Sequence, residues 1–133
     1  MISMKYFDKF RRNPGIPVGQ LNNLHLPNEV PPDYLDFLTI CNGGEGFIGE
    51  EYIILYQAEM LIEINNSNET AKYVPGIFLF GSGGDSEALA FDSRPSKSRY
   101  VLIPFLFEYD AIIPLGRDIN QFFDRVFEKG FFI

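Results

Sequence analysis

The sequence predicts an α+β fold: a single domain over residues 1–133, with its core at about 26–130, in which helices pack on a mainly antiparallel sheet. Short apolar segments joined by Gly-, Asn- and Ser-rich turns predict the sheet, and segments of helical periodicity between them predict the helices. A length of 133 residues suits one domain, and 46% hydrophobic residues, including 14 Phe and 7 Tyr, suffice to fill its core.

A helix is predicted directly after Pro27. Its apolar residues recur at steps of three and four, which places them on one helix face: Tyr34, Leu35, Leu38 and Cys41. Three residues with low helix propensity follow that face: Asn42, Gly43 and Gly44. They are predicted to end the helix, because Gly accepts the left-handed conformation that helix C-termini favour.

Three other segments are predicted to be helical. Residues 3–12 are predicted to form a short helix, followed by a loop over residues 13–26. Residues 57–65 are predicted to form a second helix, which buries Met60, Leu61 and Ile64 and is followed by a loop over residues 65–68. The last helix begins at Asp118, where Gln121 completes a capping-box-like start, and ends at Gly130. Its apolar face has five members: Ile119, Phe122, Phe123, Val126 and Phe127.

Six short segments are predicted to be strands. They cover residues 46–49, 52–56, 76–80, 87–92, 100–107 and 110–113. The third and fourth form a hairpin, because the Gly-rich residues 81–85 between them are typical of a tight turn. Short connections of this kind favour antiparallel pairing.

The charge is unevenly distributed. The net charge is −7, from 11 basic and 18 acidic residues. Residues 13–71 contain nine acids and no Lys or Arg, whereas residues 1–12 contain four basic residues and one acid. Nucleic-acid binding requires Lys and Arg to displace counterions from phosphates, so no nucleic-acid partner is predicted. The acidic half indicates a basic protein partner, or serves solubility alone.

The single cysteine, Cys41, permits no internal disulfide, which is typical of a reducing compartment. Residues 1–10 mix charged and apolar side chains, so no secretory signal is predicted. The longest apolar run, residues 101–107, contains Pro104 and is shorter than the roughly 18 residues of a membrane helix. The sequence therefore predicts a cytoplasmic protein with no membrane contact, and it leaves the oligomeric state open.

The chain lacks a recognisable pattern for catalysis or cofactor binding. The Gly-rich residues 81–85 lack the Lys and hydroxyl of a P-loop, and a strand follows them where a phosphate site would need a helix. Two groups of carboxylates lack the spacing of a calcium loop: Asp85, Glu87 and Asp92, and Glu45, Glu50 and Glu51. No metal, cofactor or catalytic residue is predicted, and a small acid/base enzyme using Asp85 and Asp92 is the alternative.

Cys41 and the only histidine, His25, could form a thiolate–imidazole pair. The position predicted for Cys41, on an apolar face near a helix C-terminus, favours a buried, inert thiol, because the helix dipole disfavours a thiolate there. The terminal residues Phe131, Phe132 and Ile133 either pack back on the domain or contact a partner, and the sequence favours neither.

Several landmarks follow one another along the chain. They are Leu26-Pro27 before a helix with Tyr34 and Phe37-Leu38, then Asn42-Gly43-Gly44, Phe80-Gly81, Asp85 and Asp92, and finally Ile119 with Phe122-Phe123 in the last helix. In this order they resemble the SUKH superfamily over residues 26–127. The resemblance implies one α+β domain whose sheet is packed by helices, and no catalytic residues.

The SUKH superfamily includes fungal Smi/Knr regulators of cell-wall glucan synthesis and bacterial toxin-immunity proteins. The resemblance therefore implies a non-enzymatic protein-binding module. The favoured interpretation is a cytoplasmic immunity protein that binds and neutralises a cognate toxin, often a nuclease. The alternative on the same fold is a scaffold or regulator of cell-wall glucan synthesis.

Many nuclease toxins are basic because they bind phosphate, and a carboxylate-rich surface would match such a site. Five acids predicted near turns are therefore candidate partner-binding residues: Glu45, Glu50, Glu51, Asp85 and Glu87. The remaining landmark residues are predicted to be structural: Pro27, Asn42, Gly43, Gly44, Gly81, Gly83, Gly84 and Asp92.

Overall fold

A computed structural model describes residues 2–83, 86–95 and 99–132. Within these residues, seven strands form one antiparallel sheet in which each strand pairs with its neighbours in sequence. The strands are β1 (Lys9–Pro14), β2 (Cys41–Ile48), β3 (Glu51–Leu55), β4 (Ile77–Gly83), β5 (Glu87–Asp92), β6 (Tyr100–Pro104) and β7 (Ile113–Gly116). The predicted antiparallel α+β fold is confirmed.

Short helices connect the strands or follow them. The α-helices of the described residues are α1 (Val18–Asn23), α2 (Pro32–Leu38), α3 (Leu61–Ser67), α4 (Thr70–Tyr73) and α5 (Ile119–Lys129), and single 3₁₀ turns cover Met4–Phe7, Ala58–Met60 and Tyr109–Ala111. None of these helices is long and apolar enough to cross a membrane.

One face of the sheet carries the main core. Helices α2 and α5 and the first 3₁₀ turn pack on it, and aromatic side chains fill the space between. The Phe80 and Phe91 rings stack at 4.3 Å between centroids, and Phe122 of α5 meets Phe80 edge-on at 5.6 Å. Because these rings are fully buried, each contributes a large apolar area to the core.

The opposite face of the sheet is only half covered. Helices α3 and α4 pack on β4, and a second apolar cluster lies beneath them. That cluster comprises Val74, Ile77, Leu79, Ala88, Ala90, Val101 and Ile103. Asn65 of α3 fixes this layer, because its side chain both accepts from the Leu79 amide at 2.7 Å and donates to the Leu79 carbonyl at 3.0 Å. Among the described residues, the outward side chains of β1–β3 on this face stay exposed and have no such cover.

The helix after Pro27 is shorter than predicted. Pro31 and Pro32 begin α2, where an amide has no helical partner, and the helix ends at Leu38. The prediction that residues 42–44 stop this helix was wrong, because Cys41 and these residues belong to β2. Gly43 and Gly44 adopt φ of 78° and 151°, and a Cβ at either would overlap backbone of a neighbouring strand. The glycines therefore serve close strand packing.

The N-terminal region also differs from the prediction. Residues 9–14 form strand β1, where a helix was predicted, and helix α1 occupies part of the predicted loop. Phe7 and Phe10 are buried in this arrangement, as one face of a helix would also be. Since a 3₁₀ turn followed by a strand can bury the same spacing of aromatic residues, periodicity over so few positions did not separate the two.

Two further elements differ from the prediction. Helix α3 continues through the predicted loop to Ser67, and Met60, predicted to be buried, is exposed. The last predicted strand, residues 110–113, is largely a 3₁₀ turn, and β7 begins where that prediction ended.

Helix α5 and strand β5 agree with the prediction. In α5 the Asp118 side chain accepts from the Gln121 amide at 2.8 Å, and Gly130 follows the last helical residue. Strand β5 has the predicted limits and pairs with β4 as a hairpin. Gly81 and Gly83, predicted in the turn, lie within β4, and Gly84 lies outside the described residues.

Candidate protein-binding surface

The uncovered part of the sheet presents a mixed apolar and charged surface, which we call the open face. Side chains alternate between the two faces of a strand, and the outward ones here are Lys9, Arg11, Glu45, Phe47, Tyr52 and Ile54. Phe47, Tyr52 and Ile54 are 45%, 41% and 39% exposed. Adjacent large apolar side chains at this exposure are typical of a surface that contacts another protein.

The strand register arranges the open face in two rows. In the first, Lys9 lies beside Phe47, which lies beside Tyr52; in the second, Arg11 lies beside Glu45, which lies beside Ile54. The Phe47 and Tyr52 rings meet edge to face, with centroids 5.2 Å apart and planes at 82°. This geometry orders both rings, so the apolar part of the face is preformed.

Glu45 is the one acidic side chain of the open face, and it has a partner within that face. The Tyr52 hydroxyl donates a hydrogen bond to Glu45 Oε2. This hydrogen bond, with a smaller contribution from desolvation, raises the pKa of Tyr52. Glu45 therefore holds Tyr52 in place as well as adding charge.

A groove of about 540 Å³ borders the open face on the side of α3. Its floor and walls include Arg11, Glu45, Ile54, Tyr56, Met60 and Ile64. Asn42 fixes the far wall, because its Oδ1 accepts from the Ala58 amide at 2.7 Å and its Nδ2 donates to Glu59 at 2.8 Å. The groove thus combines apolar and polar side chains with one charge of each sign, a combination suited to a protruding side chain of a bound protein.

The predicted partner-binding acids do not form one surface. Glu45 lies on the open face, whereas Glu51 pairs in register with Ile48 and points to the face that α5 covers. Glu51 Oε2 accepts from the Phe131 amide at 2.9 Å, which ties the C-terminal segment to the sheet. Glu50 is exposed in the turn between β2 and β3. The prediction of a single face for these acids was wrong, because strand alternation separates them.

The second group of predicted acids is equally divided. Glu87 lies in β5 and accepts from the Ser86 amide at 3.2 Å, while Asp85 lies outside the described residues. Asp92 is almost fully buried and holds the Arg94 guanidinium through contacts of 3.0 and 2.8 Å. The Arg94 guanidinium carbon lies 4.4 Å from the centroid of the Tyr109 ring. Asp92 therefore fixes the connections at this end of the sheet.

The residues considered for catalysis are apart from the open face. Cys41 is buried at the start of β2, and burial raises the pKa of its thiol to about 11. The thiol is therefore protonated at neutral pH, which makes it a poor nucleophile. His25 is exposed with φ of 51°, in the connection before α2. The part of the chain that the structure describes contains no group of three His, Cys, Asp or Glu side chains able to hold a metal ion.

The C-terminal residues pack back on the domain at Phe131. Its side chain is buried against Gly83, where a Cβ would overlap the ring. Arg125 Nη2 donates to the Phe131 carbonyl at 2.9 Å, and the next residue, Phe132, is exposed. Ile133 lies outside the described residues.

Sequence reasoning missed the open face for a physical reason. Residues 52–55 are all apolar, a pattern typical of a strand buried on both sides, so the outward Tyr52 and Ile54 were indistinguishable from the inward Ile53 and Leu55. Which of these residues face outward depends on the strand order, which the sequence did not reveal.

A family model described as the SMI1 / KNR4 family (SUKH-1) matches residues 25–125. The chain belongs to this family. Comparison with curated proteins gave no match. In this SUKH-1 chain the matched residues include α2, strands β2–β7 and the first part of α5. They also include the apolar residues of the open face, while β1 with Lys9 and Arg11 precedes the match.

Proposed function

We propose that this SUKH-1 protein is a non-enzymatic binding module and that its open face binds another protein. The observation that carries the proposal is the group of exposed apolar side chains Phe47, Tyr52 and Ile54 beside a groove. Aromatic residues, Met and Arg are enriched in protein interfaces, and the open face with its groove contains Tyr52, Met60 and Arg11.

The favoured partner is a toxin, so that the protein acts as an immunity protein in the cytoplasm. The sequence resemblance associates the SUKH superfamily, to which the matching family belongs, with proteins of this kind. A net charge of −7 supports a basic toxin, such as a nuclease, because opposite net charges speed the encounter of two proteins. In this proposal the net charge steers the toxin, and the open face makes the contacts that hold it.

Binding to the toxin encoded beside the gene tests the proposal. Ile54→Thr removes an apolar side chain from the open face and keeps a β-branched residue in the strand. Ile62→Thr is the matched control, since Ile62 is 40% exposed on α3 and does not line the groove. We expect Ile54→Thr to weaken binding by about tenfold or more and to reduce protection of cells that express the toxin, and Ile62→Thr to change neither.

Equal affinities for the two variants would contradict binding through the open face. A toxin that binds but stays active in the presence of excess protein would contradict the immunity role while leaving a binding module in place. These two results separate the contact surface from its biological use.

A second candidate is a scaffold or regulator of cell-wall glucan synthesis. The matching family is described by the names SMI1 and KNR4, which the sequence resemblance associates with such regulators. The same open face would then bind a protein of wall synthesis. Loss of glucan after Ile54→Thr, without any change in toxin resistance, would favour this candidate.

A further inference from the structure

Strand β1 is the first strand of the sheet order, and its ladder is formed with β2 alone. A Cβ at Gly46 would overlap the Lys9 carbonyl oxygen, and a Cβ at Gly44 would overlap that of Arg11. The backbone groups of Lys9 and Arg11 therefore point toward β2. Because successive residues of an antiparallel strand alternate in direction, the amide and carbonyl groups of Phe10 and Arg12 point away from the sheet.

These outward groups form a free edge. Neither Phe10 nor Arg12 makes a backbone hydrogen bond on that side with any residue in the described ranges. A row of unpaired amides and carbonyls at a sheet edge is a template for one more strand, which can come from another protein.

The free edge is basic although the protein is acidic. Three of the six residues of β1 are cationic, and none is acidic. Lys9 and Arg11 lie on the open face, whereas Arg12 lies on the opposite side, with its guanidinium carbon 5.7 Å from the centroid of the Phe7 ring. A strand added along β1 would meet two cations, Lys9 and Arg11, on its open-face side, so carboxylates suit that side of the added strand.

A pocket lies next to the free edge on the Arg12 side. Its volume is about 380 Å³, and it is lined by Phe7, Phe10, Arg12, Asn13, Pro14 and Ile40. Ile40 is among the more exposed apolar side chains of the described residues. An apolar side chain from the added strand would cover Ile40 and reach the edges of the Phe7 and Phe10 rings.

We propose, building on the protein-binding function above, that the free edge of β1 binds an extended acidic segment of the partner as an eighth strand. The backbone of the segment pairs with Phe10 and Arg12, its carboxylates contact Lys9 and Arg11 on the open-face side, and an apolar side chain on its other side enters the pocket. A second copy of this chain does not fit the edge, because two β1 strands would place like charges opposite each other.

A synthetic peptide tests this inference without knowledge of the natural partner. The peptide is an acetylated, amidated octamer of alternating Val and Glu, and the control octamer alternates Val and Lys. We expect the Val–Glu peptide to bind, with an affinity that falls as salt is added, and to protect the Phe10 and Arg12 amides from hydrogen exchange. Equal binding of the Val–Lys peptide would overturn the inference.

Two variants at one position separate strand pairing from charge. Arg12→Ala and Arg12→Pro both remove the cation, but only Pro also removes the outward amide. Pro is tolerated on an edge strand when its nitrogen faces away from the ladder, so β1 and β2 remain paired. We expect Arg12→Pro to bind the Val–Glu peptide about threefold to tenfold more weakly than Arg12→Ala, the loss expected for one hydrogen bond.

Equal affinity of the two variants would overturn strand addition. Should Arg12→Pro fail to fold, amide exchange of Phe10 in the Arg12→Ala protein decides: protection by the peptide supports pairing, and its absence contradicts it. A dimer in sedimentation that Arg12→Pro dissociates would show that a second copy occupies the edge. If Ile54→Thr weakens toxin binding and Arg12→Pro does not, strand addition at β1 is refuted. The proposed role of the open face is unaffected by that result.

Discussion

The Asp33 carboxylate, in the first turn of α2, caps helix α5 through Ile119. Its Oδ2 accepts from the Ile119 amide at 2.8 Å, and its Oδ1 accepts from the buried Tyr100 hydroxyl at 2.8 Å. One side chain therefore joins α2, α5 and β6. Asp33 lies at the N-terminus of α5, where Asp118 is the N-cap residue. Two carboxylates therefore accept hydrogen bonds from amides in the first turn of that helix, those of Ile119 and Gln121.

Replacing Asp33 should be costly for stability. Asp33→Ala leaves the Ile119 amide and the Tyr100 hydroxyl without their acceptor, and we expect the free energy of unfolding to fall by about 2–4 kcal/mol. Asp36→Ala, at an exposed position of the same helix, should change it by less than about 0.5 kcal/mol. Urea denaturation of the two variants measures the difference, and similar losses for both would contradict the role of Asp33.

Alkaline pH should destabilise the protein. Burial is the main cause that raises the pKa of Tyr34 and Tyr100 above the ordinary value of 10.0. The unfolded chain therefore loses these protons at lower pH than the folded one, so their contribution to stability is complete below pH 10 and is lost as the pH rises further. Unfolding free energies at about pH 8 and about pH 11 should show the decline. Tyr100→Phe should make it shallower, and an unaltered decline would rule out Tyr100 as a cause.

Tyr34→Phe should leave the protein at least as stable as before. The Tyr34 hydroxyl is fully buried and has no hydrogen-bond partner among the residues that the structure describes. Removing a buried polar group without a partner relieves its desolvation cost and keeps the ring contacts with Phe80 and Phe91. Thermal unfolding measures the stability of Tyr34→Phe and of Tyr100→Phe, the second of which loses the hydrogen bond to Asp33. A drop of more than about 1 kcal/mol for Tyr34→Phe would show that the hydroxyl is satisfied.

Charge reversal at Glu50 and at the adjacent Glu51 should distinguish an effect on the rate of association with a toxin from an effect on the stability of the fold. Glu50→Lys changes an exposed turn residue and should slow association with a basic toxin, most clearly at low salt, without altering stability. Glu51→Lys makes the same change in charge but also removes the acceptor of the Phe131 amide, so it should lower the melting temperature as well. Stopped-flow association and thermal unfolding measure the two effects. An association rate that Glu50→Lys leaves unchanged at low salt would contradict electrostatic steering.

The parts of the fold predicted from sequence are those with a local signal. Helix α5 carries its own N-cap at Asp118, an apolar face and a terminal glycine within a dozen residues. The pairing of β4 with β5 was likewise predicted from two apolar segments on either side of a Gly-rich segment. Both are determined by residues close in sequence, so no knowledge of the tertiary structure was needed.

The parts that were missed depend on distant residues. Gly43 and Gly44 look like a helix stop, and their actual role follows from the backbone of β1 and β3, which lies against them. Glu45 and Glu51 look alike in sequence, and only the pairing of β2 with β3 places them on opposite faces. For the same reason the apolar residues of the open face could not be distinguished from core residues before the strand order was known.

The order of the strands in the sheet, which follows their order in the chain, also bears on how this protein forms during synthesis. Each strand can pair as soon as its successor leaves the ribosome, since no strand waits for a distant one to be inserted between two others. Closure of the aromatic core is the exception, because Phe122 and Phe123 arrive only with α5. We therefore expect a nascent chain that ends before α5 to contain paired strands around an incompletely packed interior, and the last dozen or so residues to complete the native state.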